Sequence, residues 1–216
     1  MENDIIKIYN ELYSQYGMQN WWPGESQFEI IVGAILTQNT SWNNVSKAID
    51  NLKRHDLMDL ESFANADPDL IKKLITPAGF YNIKQKRLTA FINYLINHKD
   101  NFNRFYQLPI ADIRKELLSI NGIGKETADS ILLYGFERPI FVIDAYTKRL
   151  FSRLGFSWMK KATYDEIQQF FMDNLPLDSK LFNEYHALIV VHCKALCKKK
   201  PLCSECHITC PSQSNK

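Results

Sequence analysis

The chain has 216 residues, enough for one domain or two small ones. With 45% hydrophobic and 23% charged residues it has the composition of an ordinary globular protein, which excludes disordered and fibrous classes. Its net charge of +2 is too small by itself to argue for a nucleic-acid partner.

The opening residues, MENDIIKIYNEL, are acidic and amphipathic rather than basic and then apolar, so no signal peptide is expected. Ser26 and Glu29 make a capping-box pattern around Phe28, Ile31, Val32, Ile35 and Leu36, whose spacing predicts an amphipathic helix. The longest wholly apolar run, Ile30–Leu36, has seven residues, far short of the ~20 that a membrane helix needs. No membrane partner is therefore expected, and an intracellular, cytoplasmic location is. Trp42, Val45, Ala48, Ile49 and Leu52 predict the next helix, and Leu70–Leu74 and Arg87–Asn97 two more. Ile113, Leu117 and Leu118 form a stripe with Asp112 as its expected cap, and Ala128, Ile131 and Leu132 form another. Further stripes follow Asp144 (Tyr146, Leu150, Leu154) and Thr163 (Ile167, Phe170, Phe171), and one surrounds Phe182, Tyr185, Leu188 and Ile189. Pro139–Ile143 is the one extended candidate, and five residues cannot make a sheet. The chain reads as all-α.

At residue 193 the apolar periodicity gives way to cysteine and lysine. Cysteines stand at 193, 197, 203, 206 and 210, with none earlier. A disulfide framework would spread its cysteines along the chain, so this grouping points to a metal or cluster site. The same tail carries five lysines against Glu205 alone, and a second basic knot lies at Lys84, Lys86 and Arg87, so a phosphate-binding surface is permitted.

Two further segments carry chemistry. In SINGIGKETADSI, residues 119–131, two glycines stand between amphipathic helices. Glycine allows a tight turn and removes the Cβ that would hold a phosphate away. The amides of Gly122, Gly124 and the residues after them, with Lys125 and Thr127 among these, then open a helix and make an anion site. In NWWPGESQFEIIVGAILTQNTSWNNV, residues 20–45, Trp21, Trp22 and Trp42 bracket one helix and its turn. Together they are expected to form a stacking box for an electron-poor base.

SINGIGKETADSILLYGFERPIFVIDAYTKRLFSRLG resembles the helix–hairpin–helix, Gly/Pro-rich loop and aspartate of the endonuclease III superfamily of DNA glycosylases. The resemblance runs from about residue 20 to residue 210. It implies a two-domain, all-α helix–hairpin–helix glycosylase fold with a six-helix barrel over 25–140, its hairpin motif at 113–134. Residues 1–24 and 141–216 would form a second helical domain with a cysteine loop at 193–210, and double-stranded DNA would lie between the two domains of a monomer.

Within this resemblance Asp144 takes the catalytic position, where a carboxylate stabilises an oxocarbenium-like sugar and orients the attacking water. Gln38 matches a residue inserted into the duplex when a base is flipped. In ITPAGFYNIKQKRL, 75–88, Ile75 is the expected wedge, with Lys84 and Lys86 as phosphate contacts. Family members that also cut the backbone carry a lysine where this chain has Glu126, and a carboxylate cannot form a Schiff base. The tryptophans, GFYNIKQKRL and Tyr146 are similar to the 3-methyladenine glycosylases of endonuclease III type, with Trp21, Trp22, Trp42 and Tyr146 as the base pocket. The expected function is thus monofunctional excision of damaged bases, above all alkylated purines, in base excision repair. The alternatives are an endonuclease III-like enzyme for oxidised pyrimidines with a weak lyase, or a non-catalytic DNA-binding module. Cys197, Cys203, Cys206 and Cys210 would hold a 4Fe–4S cluster, with zinc as the alternative, although the family spacing is contracted on both flanks and Cys193 is a spare thiol.

Overall fold

Apolar residues at helical spacing decide the architecture. The described residues, 2–98 and 102–208 of a computed structural model, form twelve α-helices joined by short 3₁₀ and π turns, and no strand. They divide into two compact units, one made of residues 22–138 and the other of 1–21 with 139–216.

The first unit is built around α2 (Gln27–Leu36), buried along nearly its whole length. Ser26 caps it, accepting from the Glu29 amide. The reciprocal half of the capping box is diverted, because the Glu29 carboxylate takes the Glu25 amide and pairs with Lys53 at 3.0 Å. Helices α3 (Trp42–Lys53), α4 (Leu60–Asn65), α5 (Pro68–Leu74) and α6 (Tyr81–Asn97) follow. Then come α7 (Asn103–Gln107), α8 (Ile110–Ser119) and α9 (Lys125–Ser130), the last running into a π-helical turn at Ile131–Gly135. The short helices α4 and α7 carry too few apolar residues for a period to show, and α8 starts ahead of Asp112, after Pro109.

In the second unit α1 (Glu2–Tyr16) joins α10 (Ala145–Arg153), α11 (Tyr164–Asn174) and α12 (Ser179–Ala195). Its centre is aromatic: Phe141 stacks on Phe171 at 4.2 Å, with Phe151, Phe182 and Tyr185 edge-on around them. The Tyr185 hydroxyl donates to the Ile5 carbonyl at 2.7 Å, which ties α12 to α1. Among the described residues no helix is long and apolar enough to cross a membrane.

Candidate active site

The segment between α8 and α9 is a tight hairpin closed by an Ile123 amide bond to the Ile120 carbonyl, with both isoleucines buried. Gly122 has φ +88°, and a Cβ there would sit 2.3 Å from Arg87 Cγ, so backbone strain and packing both require glycine. Gly124 has ordinary extended backbone and caps α9; a Cβ added there would meet nothing within 4 Å. Its value is access rather than conformation. Behind the turn, Arg114 grips the fully buried Asp129 with two bonds of 2.6 and 3.0 Å, locking α8 to α9. Gln38 reaches the same hairpin, donating to the Gly122 carbonyl and to Thr127 Oγ1, while Arg87 donates to its side-chain oxygen. Thr127 is therefore buried with its hydroxyl taken up by Gln38, so what it offers the anion site is limited to backbone.

The turn from α5 to α6 corrects two expectations. Ile75 is fully buried and caps α5, so it is no wedge. Lys84 is 1% exposed, and its ammonium donates to the Leu36 and Ala78 carbonyls and to Thr40 Oγ1 at 2.7, 2.8 and 3.0 Å. Every donor is spent inside the unit, so Lys84 cannot meet a phosphate; Lys86 is exposed. The side chain presented instead is Phe80, 66% exposed, at φ +47° directly after Gly79 at φ +70°. An aromatic ring held in water on a left-handed backbone is costly twice over.

Trp22 and Trp42 meet edge to face at 4.9 Å, and Tyr134 from the π turn lies 5.2 Å from Trp22. Gly33 makes room for this cluster, since a Cβ there would stand 3.2 Å from the Trp22 indole. Trp21 belongs to the other unit, where it lines an open depression with Tyr9, Tyr13 and Leu181.

In that other unit Asp144 caps α10. Its Oδ1 accepts from the Thr147 amide at 2.7 Å and from the Thr147 hydroxyl at 2.9 Å. Oδ2 faces His186 Nε2 of α12 at 3.7 Å. Burial lowers the His186 pKa, with the Asp144 charge opposing, so the imidazole is held neutral. Tyr146 is half-buried under the Arg149 guanidinium, 4.9 Å from its ring centre.

The far end of α10 holds the cysteine loop. Arg149 donates to the Cys197 carbonyl at 2.8 Å, and Arg153 to Cys197 Sγ at 3.2 Å and to the Lys198 and Lys199 carbonyls. A hydrogen bond from the Cys193 thiol and these two guanidinium charges bring the Cys197 thiol below its ordinary range, against burial, while Cys193 is driven up. Cys197, Cys203 and Cys206 line a cavity of about 160 Å³ whose wall also includes Arg153, His192 and apolar residues such as Leu150 and Ile208. Cys210 lies outside the described residues.

The profile of the HhH-GPD superfamily of base excision DNA repair proteins matches residues 32–177. The chain belongs to that superfamily. A provisionally named DNA repair glycosylase of Methanocaldococcus jannaschii is 54% identical over 209 residues, 94% of this chain and 93% of its own. The crystal structure of the H. pylori 3-methyladenine DNA glycosylase bound to 1,N6-ethenoadenine is 30% identical, with a TM-score of 0.77 over 88% of this chain and 97% of that one. An endonuclease III trapped covalently on DNA is 18% identical with a TM-score of 0.82 over 99% and 97% of the two chains, a likeness of fold alone. The protein is thus a helix–hairpin–helix DNA glycosylase of base excision repair.

For a helix–hairpin–helix glycosylase, the residues that sequence reasoning passed over are informative. Tyr134 sits in an apolar run that reads as plain core, Phe80 reads as an ordinary member of a turn, and Arg87 reads only as part of a basic knot. His186 is masked by the stripe of α12. A helical wheel through Tyr185 and Ile189 would have put His186 one step from the buried face, the single usable signal among them.

Proposed function

We propose that the protein is a monofunctional glycosylase that releases alkylated purines from double-stranded DNA, acting as a monomer. The observation that carries the reading is the Trp22–Trp42–Tyr134 cluster, because electron-rich ring faces attract a cationic methylated purine and discriminate against a neutral one. The likeness to a 3-methyladenine glycosylase at 30% identity supports the same substrate class. In this reading the two units correspond to the six-helix barrel and the cluster-bearing domain of the superfamily.

The hairpin amides around Gly124 hold a backbone phosphate at a surface that no side chain obstructs. Phe80, rather than Ile75, enters the duplex where the damaged base leaves it, and Gln38 gives up its bonds to Gly122 and Thr127 to fill the gap from the hairpin side. Asp144 then does two things. Its carboxylate stabilises positive charge on the sugar as the bond to the base breaks, and it aligns the water that attacks C1′. The alkylated base leaves readily because departure neutralises it, so no strong acid is needed at the purine. Glu126, in the first turn of α9, has no amine to attack the sugar, and the reaction stops at the abasic site.

We assign the cysteine loop to a 4Fe–4S cluster because three of its thiols line one cavity and cationic Arg149 and Arg153 favour thiolate at Cys197; among the described residues no three metal-ligating side chains are yet drawn together, so the cluster would gather them. Cys197, Cys203, Cys206 and Cys210 would hold it, while Cys193, buried against the Tyr146 carbonyl, serves packing. When bound, the cluster supplies cross-linking of the loop and no step of hydrolysis. The test is an excision screen on duplexes bearing 3-methyladenine, 7-methylguanine, hypoxanthine, uracil and thymine glycol. Release of the methylated purines well ahead of the others supports the reading, and preference for thymine glycol overturns it.

A further inference from the structure

We propose that His186 is the proton acceptor behind Asp144, so that hydrolysis is assisted by a carboxylate–imidazole dyad and not by the carboxylate alone. This deepens the reading above and rests on Asp144 as the catalytic carboxylate. The geometry assigns the two oxygens different work. Oδ1 is fixed by both Thr147 bonds, which sets the plane of the carboxylate. Oδ2 has two lone-pair directions, one toward the reacting water and one toward His186 Nε2, 3.7 Å away. That gap is longer than a hydrogen bond and short enough to close by a small rotation.

The reaction leaves one proton on Asp144 that must be passed on, and His186 is the base nearest Oδ2 on which to put it. As water oxygen bonds to C1′, the C1′–N bond breaks and its electron pair departs with the base. The water proton passes to Oδ2, leaving Asp144 neutral and the new C1′ hydroxyl in place. In its Nδ1–H tautomer, His186 presents a lone pair at Nε2 to that O–H and takes the proton, which restores the carboxylate as its own counter-ion. A neutral imidazole is the stronger base of the two types in water; burial opposes the transfer, and the carboxylate charge restored beside the imidazolium favours it. Burial and the Asp144 charge oppose each other at His186, which holds it neutral at rest and ready to accept. Of the neighbouring groups, Cys193 on α12 feels the Asp144 charge with Arg149 beyond it, and Glu11 of α1 acts on Tyr185 rather than on His186. Asp144 is the charge that reaches the imidazole.

His186 acts through Asp144 and is a positioning residue, so the test needs readouts that packing alone would leave unmoved. The first is imidazole NMR titration of the intact protein without DNA. Asp144→Asn should lower the His186 midpoint, and an unchanged midpoint would overturn the coupling. The second is single-turnover release from dimethyl sulfate-methylated duplex, with abasic-duplex affinity measured alongside. His186→Gln and His186→Ala should each slow release by roughly tenfold to a hundredfold with affinity nearly unchanged. Wild-type speed in His186→Gln overturns the proposal, because glutamine fills the space but cannot take the proton. Equal loss of affinity and rate also overturns it, assigning His186 to architecture. Normal turnover by Asp144→Asn would instead sink the catalytic assignment of Asp144, a separate result that the NMR coupling does not depend on.

Discussion

Lys84 satisfies three acceptors where water does not reach, and its neighbours depend on that. The Leu36 carbonyl ends α2, and the Ala78 carbonyl belongs to the turn that presents Phe80. Lys84→Met should therefore cost about 1–3 kcal/mol, by taking the ammonium from the Leu36 carbonyl and leaving the Ala78 carbonyl to the Thr40 hydroxyl alone. The pH dependence has a definite sign. Burial, helped by the Arg87 charge, lowers the ammonium from 10.5 to about 8. Below pH 8 both states are charged and the contribution is flat; from 8 to 10.5 the folded chain has shed a proton that the unfolded chain keeps. Stability from this group thus rises with pH, by about 1.4 kcal/mol per unit. Urea unfolding should show the gap between wild type and Lys84→Met widening across that window, and a constant gap would contradict it. Phe80 makes the opposite bargain. Phe80→Gly relieves a left-handed backbone and removes an exposed ring, so it should raise stability by up to about 1 kcal/mol while slowing excision. A variant both more stable and equally fast would show that the ring has no part in the reaction.

The hairpin was legible at the scale of elements because its constraint is local. Only glycine reaches φ +88° against the Arg87 side chain, and the sequence says glycine at 122. The turn before α6 was misread for an equally physical reason. Apolar character singled out Ile75 as the wedge, but consecutive left-handed residues at Gly79 and Phe80 reverse which side chain faces outward. Lys84 reads as solvated in any helical pattern, since two of its acceptors, Leu36 and Thr40, stand 48 and 44 residues away in sequence. What the pattern never showed is the clamp behind the hairpin. Arg114 holds Asp129 bidentately across α8 and α9, with Asp129 fully buried. Arg114→Ala should leave that carboxylate without its grip and cost about 3–5 kcal/mol, read as a lowered urea midpoint. Loss below 1 kcal/mol would mean the hairpin is held by Gln38 and the buried isoleucines instead. The same helix makes the lyase question sharp. Borohydride should trap little enzyme on abasic DNA, and Glu126→Lys should raise trapping, because it places an amine on the face where the superfamily carries one. Strong wild-type trapping that Lys125→Ala abolished would name the neighbouring lysine as nucleophile.

Across the whole molecule, one helix links two kinds of chemistry. α10 begins with Asp144, its first-turn amide bonded to the carboxylate, and ends with Arg149 and Arg153 on the carbonyls of the cysteine loop. Helix polarity suits both ends, since an anion belongs at the N-terminus and cations in the last turns. Five thiols in 18 residues read as a metal site in the sequence, and the spacing left open which of them is spare. That depends on α12, whose last buried turn carries Cys193 inward against the Tyr146 carbonyl while Cys197, Cys203 and Cys206 line the cavity. The difference separates two predictions for one preparation. Protein made anaerobically with ample iron should be yellow-brown, from thiolate-to-iron charge transfer, and carry close to four irons per chain. Cys203→Ser should lose colour and iron together and expose the loop to protease, because closure of residues 198–206 then rests on the two arginines. Cys193→Ala should keep colour and iron and lose only about 1–2 kcal/mol of packing. If instead Cys193→Ala bleaches the protein while Cys197→Ala does not, the ligand set begins one helical turn earlier. Arg153 would then brace a spare thiol and not a ligand, and the charge that ties α10 to the loop would have no cluster to balance.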